Sequence, residues 1–132
     1  MTATVLITGA NGFIGSHVTK LMESHGHKVV AIDVVPRAPD ISLLGIEASS
    51  HIINVTDGAA FRALCEKERP SHIFHAAHPP RDESPTVINY CYHAMTNILE
   101  AAKDFKIQRV VYSSSASIYG QLSKPDGSLI KE

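Results

Sequence analysis

The chain has 132 residues, a length that suits one domain built around one hydrophobic core. It is 44% hydrophobic and 19% charged, with a formal net charge of −1, so it lacks the broad basic field of a nucleic-acid-binding protein. No apolar run approaches the roughly 18 residues that a bilayer span needs, and no signal-peptide pattern opens the chain, so we expect a cytoplasmic protein with no membrane contact.

The chain opens with an apolar run, a glycine-rich turn and a helical pattern, in that order. Val5, Leu6 and Ile7 are typical of a strand buried on both faces. A helical pattern begins at Phe13 and continues to about His25. The turn and the first helical residues contain three glycines, namely Gly9, Gly12 and Gly15.

These glycines have the spacing of a phosphate-binding turn. The missing Cβ at Gly9 permits a tight turn, Gly12 lets the backbone approach a diphosphate, and Gly15 lets the helix lie close to the strand. The free N–H groups and the positive dipole end of the helix would then face the anion. The alternative is an ordinary strand–turn–helix unit in which the glycines only make the turn.

A carboxylate ends the second apolar run, which covers residues 28–33. This residue, Asp33, lies 18 positions after Gly15. A carboxylate there can accept both ribose hydroxyls of an adenosine and would repel a 2′-phosphate, which favours NAD over NADP. Arg37 weakens that preference, since an arginine could bind the extra phosphate. Alternatively, Asp33 is only a turn residue at a strand end.

Strand and helix patterns alternate along the rest of the chain. We predict strands over about residues 3–8, 28–33, 51–55, 71–77 and 109–113. We predict helices over about residues 13–25, 58–68 and 85–105. Pro36 and Pro39 indicate a loop, and residues 34–49 remain poorly defined. A domain over residues 1–120 is then followed by a turn-rich tail at 121–132.

Each predicted helix has an apolar face and, in two cases, a local end signal. Gly26 is expected to end the first helix, and Thr56 or Asp57 to cap the second. Cys65 and Cys91 fit apolar faces and indicate reduced core thiols. The predicted buried faces are Ile14, Val18, Leu21 and Met22; Phe61, Leu64 and Cys65; and Val87, Cys91, Met95, Ile98, Ala102 and Phe105.

The alternation predicts an α/β protein with a doubly wound parallel sheet and helices on both faces. Right-handed crossovers from a central first strand give the strand order 3-2-1-4-5. Ligands of such sheets bind beyond the carboxyl ends of the strands, where the strand order reverses. The residues that fall there are Gly9 to Gly15, Asp33, Asn54, Ala76 to His78, and Ser113 to Ser115.

Four segments together resemble one known family. They are Thr8–Gly15 with the sequence TGANGFIG, the acid Asp33, Asn97–Ala102, and Val110–Gly120 with the sequence VVYSSSASIYG. In this order they resemble the glycine motif, the ribose-binding acid, the central-helix end and the serine strand of the extended short-chain dehydrogenase/reductases, in the NAD-dependent epimerase/dehydratase branch. The resemblance implies a Rossmann-type fold, NAD as cofactor, and a hydroxyl-bearing substrate such as a nucleotide sugar.

The resemblance also assigns roles to individual residues. It places the backbone of Phe13 and Ile14 against the pyrophosphate, and it makes Ser115 the catalytic candidate that binds a substrate hydroxyl. Asn54 and Val55 would contact adenine, and the segment His75-Ala76-Ala77 would pass the nicotinamide ribose. The implied cofactor-binding set is Gly9, Asn11, Gly12, Phe13, Ile14, Gly15, Asp33, Asn54, Val55, Ala76, Ala77 and Ser113.

The chain departs from the family pattern at several positions. The family favours Asp where Asn54 stands, a small residue at His78, and often Asn at Cys91. It often has Gly-Thr where this chain has Ala94-Met95, which puts the polar role of the long helix in doubt.

The family's Tyr-x-x-x-Lys pair, which transfers the proton, is absent from these 132 residues. No lysine has a tyrosine four positions before it, and only 17 residues follow Ser115. We therefore expect a truncated, cofactor-binding half that binds NAD with little or no turnover, because loss of a general acid–base costs about 10²–10⁴-fold in rate.

Three further hypotheses concern an alternative function, a metal site and self-association. A non-catalytic NAD-sensing module is the alternative function. A metal site formed by His72, His75 and His78 is less favoured, because a strand places residues three apart on opposite faces. The unpaired edge of the fifth strand, at residues 110–112, predicts a homo-oligomer formed through that edge.

Overall fold

The computed structural model describes residues 2–79 and 85–115. Five strands run over Thr4–Thr8 (β1), Lys28–Asp33 (β2), Ser50–Ile52 (β3), His72–His75 (β4) and Arg109–Tyr112 (β5). The helices of the described residues run over Phe13–Ser24 (α1), Pro39–Ser42 (α2), Gly58–Glu68 (α3) and Pro85–Asp104 (α4). All predicted elements are confirmed in type, and the single-turn helix α2 lies within the segment that the sequence left undefined.

The strands form one parallel sheet in the order β3-β2-β1-β4-β5, which confirms the predicted doubly wound arrangement. The register pairs Thr8 with Ile32 on one side and with His75 on the other. The carboxyl ends of β1, β2 and β4 are therefore level, and the glycine turn, Asp33 and Ala76 emerge along the same edge.

Two hydrophobic clusters cover the two faces of the sheet, because side chains alternate along each strand. Leu6, Ile32 and Ile73 face α3 and α4, where Phe61 and Ile98 complete the larger cluster. Residues of opposite parity face α1, and this smaller cluster consists of Val5, Ile7, Ala10 and Ala31 with Val18, Met22 and Phe74 beside it. The switch of faces follows from right-handed crossovers that run in opposite directions along the sheet, from β1 to β2 one way and from β3 to β4 and β4 to β5 the other.

The buried face of α1 differs from the prediction. Ile14 and Leu21 are half exposed, whereas Gly15, Ser16 and Thr19 are buried. A Cβ on Gly15 would lie 2.0 Å from the Gly9 carbonyl oxygen, so the helix approaches the turn too closely for large side chains. The buried hydroxyls are satisfied locally, since Thr19 donates to the Gly15 carbonyl at 2.8 Å and Ser16 to that of Phe13.

The buried face of α4 is narrower than the predicted stripe. Ala94, Ile98 and Ala101 are buried, which confirms only Ile98 of the predicted set. Cys91 is partly buried, so the prediction of a core thiol is wrong there, whereas Cys65 is buried as predicted. Small residues again lie at the closest approach, and the larger side chains flank it.

Local signals fixed the ends of two helices as expected. The Asp57 carboxylate caps α3 by accepting from the Ala60 N–H at 3.1 Å, which decides between the two predicted caps. Gly26 follows α1 with a φ of 76°, the left-handed conformation predicted for it. Within residues 2–79 and 85–115, no helix is both long and apolar enough to span a membrane.

Candidate nucleotide-binding cleft

A cleft of about 370 Å³ lies beyond the carboxyl ends of the first four strands. Four short segments and one helix form its walls. The lining residues are Thr8, Gly9, Asn11 and Gly12 of the turn; Ile32 to Val35 at the end of β2; Ile53 and Val55 after β3; Ala76 to His78 after β4; and Tyr90 of α4.

The fold requires two of the three glycines of the turn, Gly9 and Gly15, whereas it leaves open space at Gly12. Gly9 has a φ of 66°, and a Cβ there would lie 2.6 Å from the Ala77 nitrogen. Gly15 is excluded from carrying a Cβ by the Gly9 carbonyl. Gly12 has an ordinary φ of −79°, and its added Cβ would meet only the Gly9 oxygen, at 3.4 Å. The fold therefore tolerates a side chain at Gly12, but that side chain would occupy the cleft.

Free backbone donors lie directly beyond Gly12. The Gly12 N–H donates to the Gly9 carbonyl, and the Ser16 N–H donates to the Gly12 carbonyl. The amides of the intervening residues, Phe13 to Gly15, are the first three of α1 and have no helical acceptor. The first turn also contains no acidic residue, so the positive end of the helix dipole is left for an anion.

Asp33 is held in place by three backbone amides. One carboxylate oxygen accepts from Val34 at 2.7 Å and Val35 at 3.2 Å, and the other accepts from Asn11 at 2.9 Å. A carboxylate has about four acceptor positions, so one position remains on the Asn11 side. Its orientation is therefore fixed without any ligand.

Asn11 links three elements around the cleft. Its side-chain amide donates to the Val35 carbonyl at 2.7 Å and to the Ser50 hydroxyl at 2.9 Å, which ties the glycine turn to the end of β2 and the start of β3. Arg37, in contrast, donates to the Ala48 carbonyl at 3.0 Å and does not line the cleft. The structure therefore does not bring this arginine to Asp33.

A buried pair closes the floor of the cleft between β1 and β4. The Thr8 hydroxyl lies 2.6 Å from His75 Nδ1 and accepts from the Ala77 N–H at 3.3 Å. Burial, and then the nearby His78, lower the pKa of His75 to about 4. The ring is therefore neutral near pH 7 and stacks against Tyr112 with centroids 5.4 Å apart.

The segment after β3 is positioned by α4. The buried Val55 lines the cleft, and its carbonyl accepts from the Asn97 side chain at 2.9 Å. Asn54 is exposed and uses its side-chain oxygen to accept the Thr56 N–H at 3.0 Å, outside the cleft wall. Of the two residues assigned to adenine, the structure therefore brings only Val55 to the cleft.

The serines after β5 are not part of the cleft wall. The Ser113 backbone and side chain both donate to the His75 carbonyl, at 3.0 and 3.2 Å, which fixes the end of β5 beside β4. Ser115 is exposed at the end of the described segment, and the predicted tail at 121–132 lies outside the described residues. Phe13, Ile14 and Gly15 adjoin the cleft through the helix N-terminus rather than as lining side chains.

The histidines do not converge. His72 contacts the Ser71 hydroxyl at 2.9 Å, and His78 Nδ1 donates to the Pro79 carbonyl at 2.7 Å. In the described part of the chain, no three His, Cys, Asp or Glu side chains come together as a possible metal site.

Sequence reasoning missed one side chain that α4 contributes. Tyr90 lines the cleft and packs against the larger core cluster. Burial, and then the Asp33 carboxylate, raise the pKa of its phenol. The helical pattern gave no indication of this, since it did not show where the first turns of α4 lie relative to the sheet edge.

The sheet order, the glycine turn and the cleft define a Rossmann-type α/β domain. The chain belongs to the NAD-dependent epimerase/dehydratase family, whose model matches residues 5–131.

Individual relatives agree with this. UDP-glucose 4-epimerase of Drosophila melanogaster is 30% identical over 89% of this chain, and Protein CapI of Staphylococcus aureus is 32% identical over 92%. The solved UDP-glucose 4-epimerase of Thermus thermophilus, in complex with NAD, is 25% identical with a TM-score of 0.82 over 98% of this chain and 42% of that one. The chain spans 39% and 40% of the length of the two curated relatives.

Proposed function

We propose that this chain binds NAD(H) as the cofactor-binding part of a nucleotide-sugar epimerase, dehydratase or related reductase. The observation that supports this best is the open space over Gly12, flanked by unpaired amides of α1 and by the fixed carboxylate of Asp33. The NAD complex of the Thermus thermophilus relative supports the same cofactor.

The cleft residues fit the parts of a dinucleotide. The amides of Phe13 to Gly15 would bind the pyrophosphate, and the remaining acceptor position of Asp33 would take a ribose hydroxyl. Ile53 and Val55 would offer apolar contact to the adenine, and the segment Ala76–Ala77, which also lines the cleft, would pass the second ribose. When bound, the nicotinamide would accept or return a hydride, and this chain's residues bind and orient it.

The cleft favours NAD over NADP. A 2′-phosphate would approach the Asp33 carboxylate, which is already negative and cannot turn away because three amides hold it. Arg37 could neutralise that phosphate only by giving up its bond to the Ala48 carbonyl. We therefore propose tighter binding of NAD.

Turnover by these 132 residues is proposed to be very low. Ser115 is the proposed contact for a substrate hydroxyl, but no tyrosine stands four positions before a lysine in this sequence. Without a group that moves the hydroxyl proton, the rate of hydride transfer to or from a bound cofactor falls by about 10²–10⁴-fold.

Calorimetric titration and thermal melting with NAD, NADH and NADP test the proposal. A ligand at 100 times its dissociation constant should stabilise the native state by about 2.7 kcal/mol. Gly12→Val should fold normally and lose this binding, because its side chain would occupy the cleft. Ala63→Val, at an exposed position of α3, is the control and should bind as the unmodified chain does. Absence of both heat and melting shift in the unmodified chain would contradict the function.

A further inference from the structure

We propose that Tyr90 of α4 is part of the adenosine subsite, with its ring against the base and its hydroxyl donating a hydrogen bond to the nucleotide. This inference rests on the proposed NAD-binding function. It adds to the site a residue that belongs neither to the glycine motif nor to the ribose-binding acid Asp33.

The helix geometry presents Tyr90 to the cleft. Residues 90, 94, 98 and 101 recur at helical spacing, so they share one face of α4. Ala94, Ile98 and Ala101 are buried and hold that face against the sheet. α4 follows β4, so its first turns lie near the carboxyl edge of the sheet, and there the same face meets the cleft where it borders the larger core cluster.

The bond between the Asn97 side chain and the Val55 carbonyl, at 2.9 Å, fixes α4 relative to the segment after β3. Tyr90 therefore has a defined position beside the apolar walls Ile53 and Val55. An aromatic ring among aliphatic walls suits a flat purine, because bases stack on aromatic side chains.

The hydroxyl of Tyr90 is open to a ligand. Tyr90 is partly buried, and within residues 2–79 and 85–115 no other residue forms a hydrogen bond with its hydroxyl. Burial and the Asp33 carboxylate raise the pKa of this phenol, so it keeps its proton at neutral pH. Asp33 can only accept hydrogen bonds, whereas Tyr90 can donate one to a ring nitrogen or ribose oxygen. The two residues thus complement both kinds of polar atom in an adenosine.

The same helix provides a matched control. Tyr92 lies two positions further along, is 68% exposed, contacts His93 and does not line the cleft. A change at Tyr92 removes the same chemical group from the same helix without touching the proposed subsite.

Titration calorimetry with NAD and with ADP-ribose should compare the unmodified chain with Tyr90→Leu, Tyr90→Phe and Tyr92→Leu. Tyr90→Leu should weaken both ligands by the same factor, at least about fivefold, through lost stacking. Tyr90→Phe should weaken both by about two- to tenfold, through the lost hydrogen bond. Tyr92→Leu should leave both affinities unchanged.

A spectroscopic measurement separates contact from packing. The chain has no tryptophan, so its near-ultraviolet circular dichroism in the tyrosine band reports its four tyrosines. Saturating ADP-ribose should change that signal in the unmodified chain and in Tyr92→Phe, but much less in Tyr90→Phe.

The outcomes separate this inference from the proposed function. If the unmodified chain binds NAD while Tyr90→Phe and Tyr90→Leu stay within twofold of it, the inference is wrong and NAD binding stands. If Tyr90→Leu alone melts early while Tyr90→Phe keeps full affinity and the full spectral change, Tyr90 is only a packing residue. If the unmodified chain binds neither ligand, the proposed function itself is wrong.

Discussion

His75 shows how one buried side chain connects the floor of the cleft to the stability of the fold. His75 is 3% exposed, and its ring nitrogen Nδ1 lies beside the Thr8 hydroxyl, which in turn accepts from the Ala77 N–H. Ala77 also contacts the position where Gly9 has no Cβ. A charge on this ring would therefore disturb the spacing between the glycine turn and the end of β4.

The lowered pKa of His75 predicts a loss of stability in mild acid. The pKa is about 4 in the folded protein and about 6.5 in the unfolded chain, so between these values the unfolded chain binds the proton more readily. The neutral His75 ring contributes about 3 kcal/mol to the free energy of unfolding. This contribution is fully present above pH 6.5 and is lost as the pH drops towards 4. Urea unfolding at several pH values in this window measures it.

The control for this experiment is His75→Gln, which cannot titrate and should show a flatter dependence of unfolding free energy on pH. His51 and His25 lie outside this buried pair, so His25→Gln should retain the slope of the unmodified chain. Equal slopes for the unmodified chain and His75→Gln would rule out this role.

At the scale of elements, the closest contacts are made by the smallest residues. α1 reaches the glycine turn through Gly15, Ser16 and Thr19, and α4 reaches the sheet through Ala94 and Ala101. Side-chain volume at these contacts sets the distance between helix and sheet, and that distance places the amides of α1 and the ring of Tyr90 at the cleft.

We predict that the same change to alanine destabilises the fold at Gly15 and leaves its stability nearly unchanged at Gly12. Gly15→Ala should destabilise the fold by about 1–3 kcal/mol or more, because its Cβ would lie 2.0 Å from a backbone oxygen that cannot move aside. Gly12→Ala should leave the unfolding free energy within about 0.5 kcal/mol, as is usual away from packed contacts. Chemical denaturation followed by circular dichroism compares them. Equal loss of stability at both positions would show that the contact at Gly15 is not the cause.

At the scale of the whole molecule, β5 is one of the two edge strands of the described sheet, the other being β3. Among the described residues, no strand pairs with the outer edge of β5, and Val111 and Tyr112 are 44% and 46% exposed. Unpaired backbone groups beside apolar side chains favour pairing with another chain. We propose that this edge forms the contact of a homo-oligomer.

We therefore expect a dimer or larger assembly in solution, measured by light scattering across a concentration series. Val111→Lys should shift the equilibrium towards monomer, because an edge lysine opposes pairing. Leu43→Lys, at an exposed position outside the sheet, should not. A monomer at every concentration would contradict an interface at this edge.

The sequence alone determined the order and type of the elements, the strand order and the chemistry of the turn. These features depend on local pattern. The apolar run at Val5–Ile7 and the spacing of Gly9, Gly12 and Gly15 lie within one short stretch, and Asp33 is recognised by its place at a strand end. The glycine turn and Asp33 predicted NAD as the cofactor, and the resemblance to the family implied the same cofactor.

Tertiary structure alone decided which side chains meet at the cleft. The bond from Asn97 to Val55 and the pairing of Thr8 with His75 join residues 42 and 67 positions apart, and Tyr90 reaches the cleft from a helix distant in sequence from the glycine turn, so no local pattern reveals them. The same holds for Arg37, which sequence proximity placed beside Asp33 but which the fold turns towards Ala48. The physical reason is that helix rotation and depth are set by packing against the sheet, and periodicity fixes only which residues share a face.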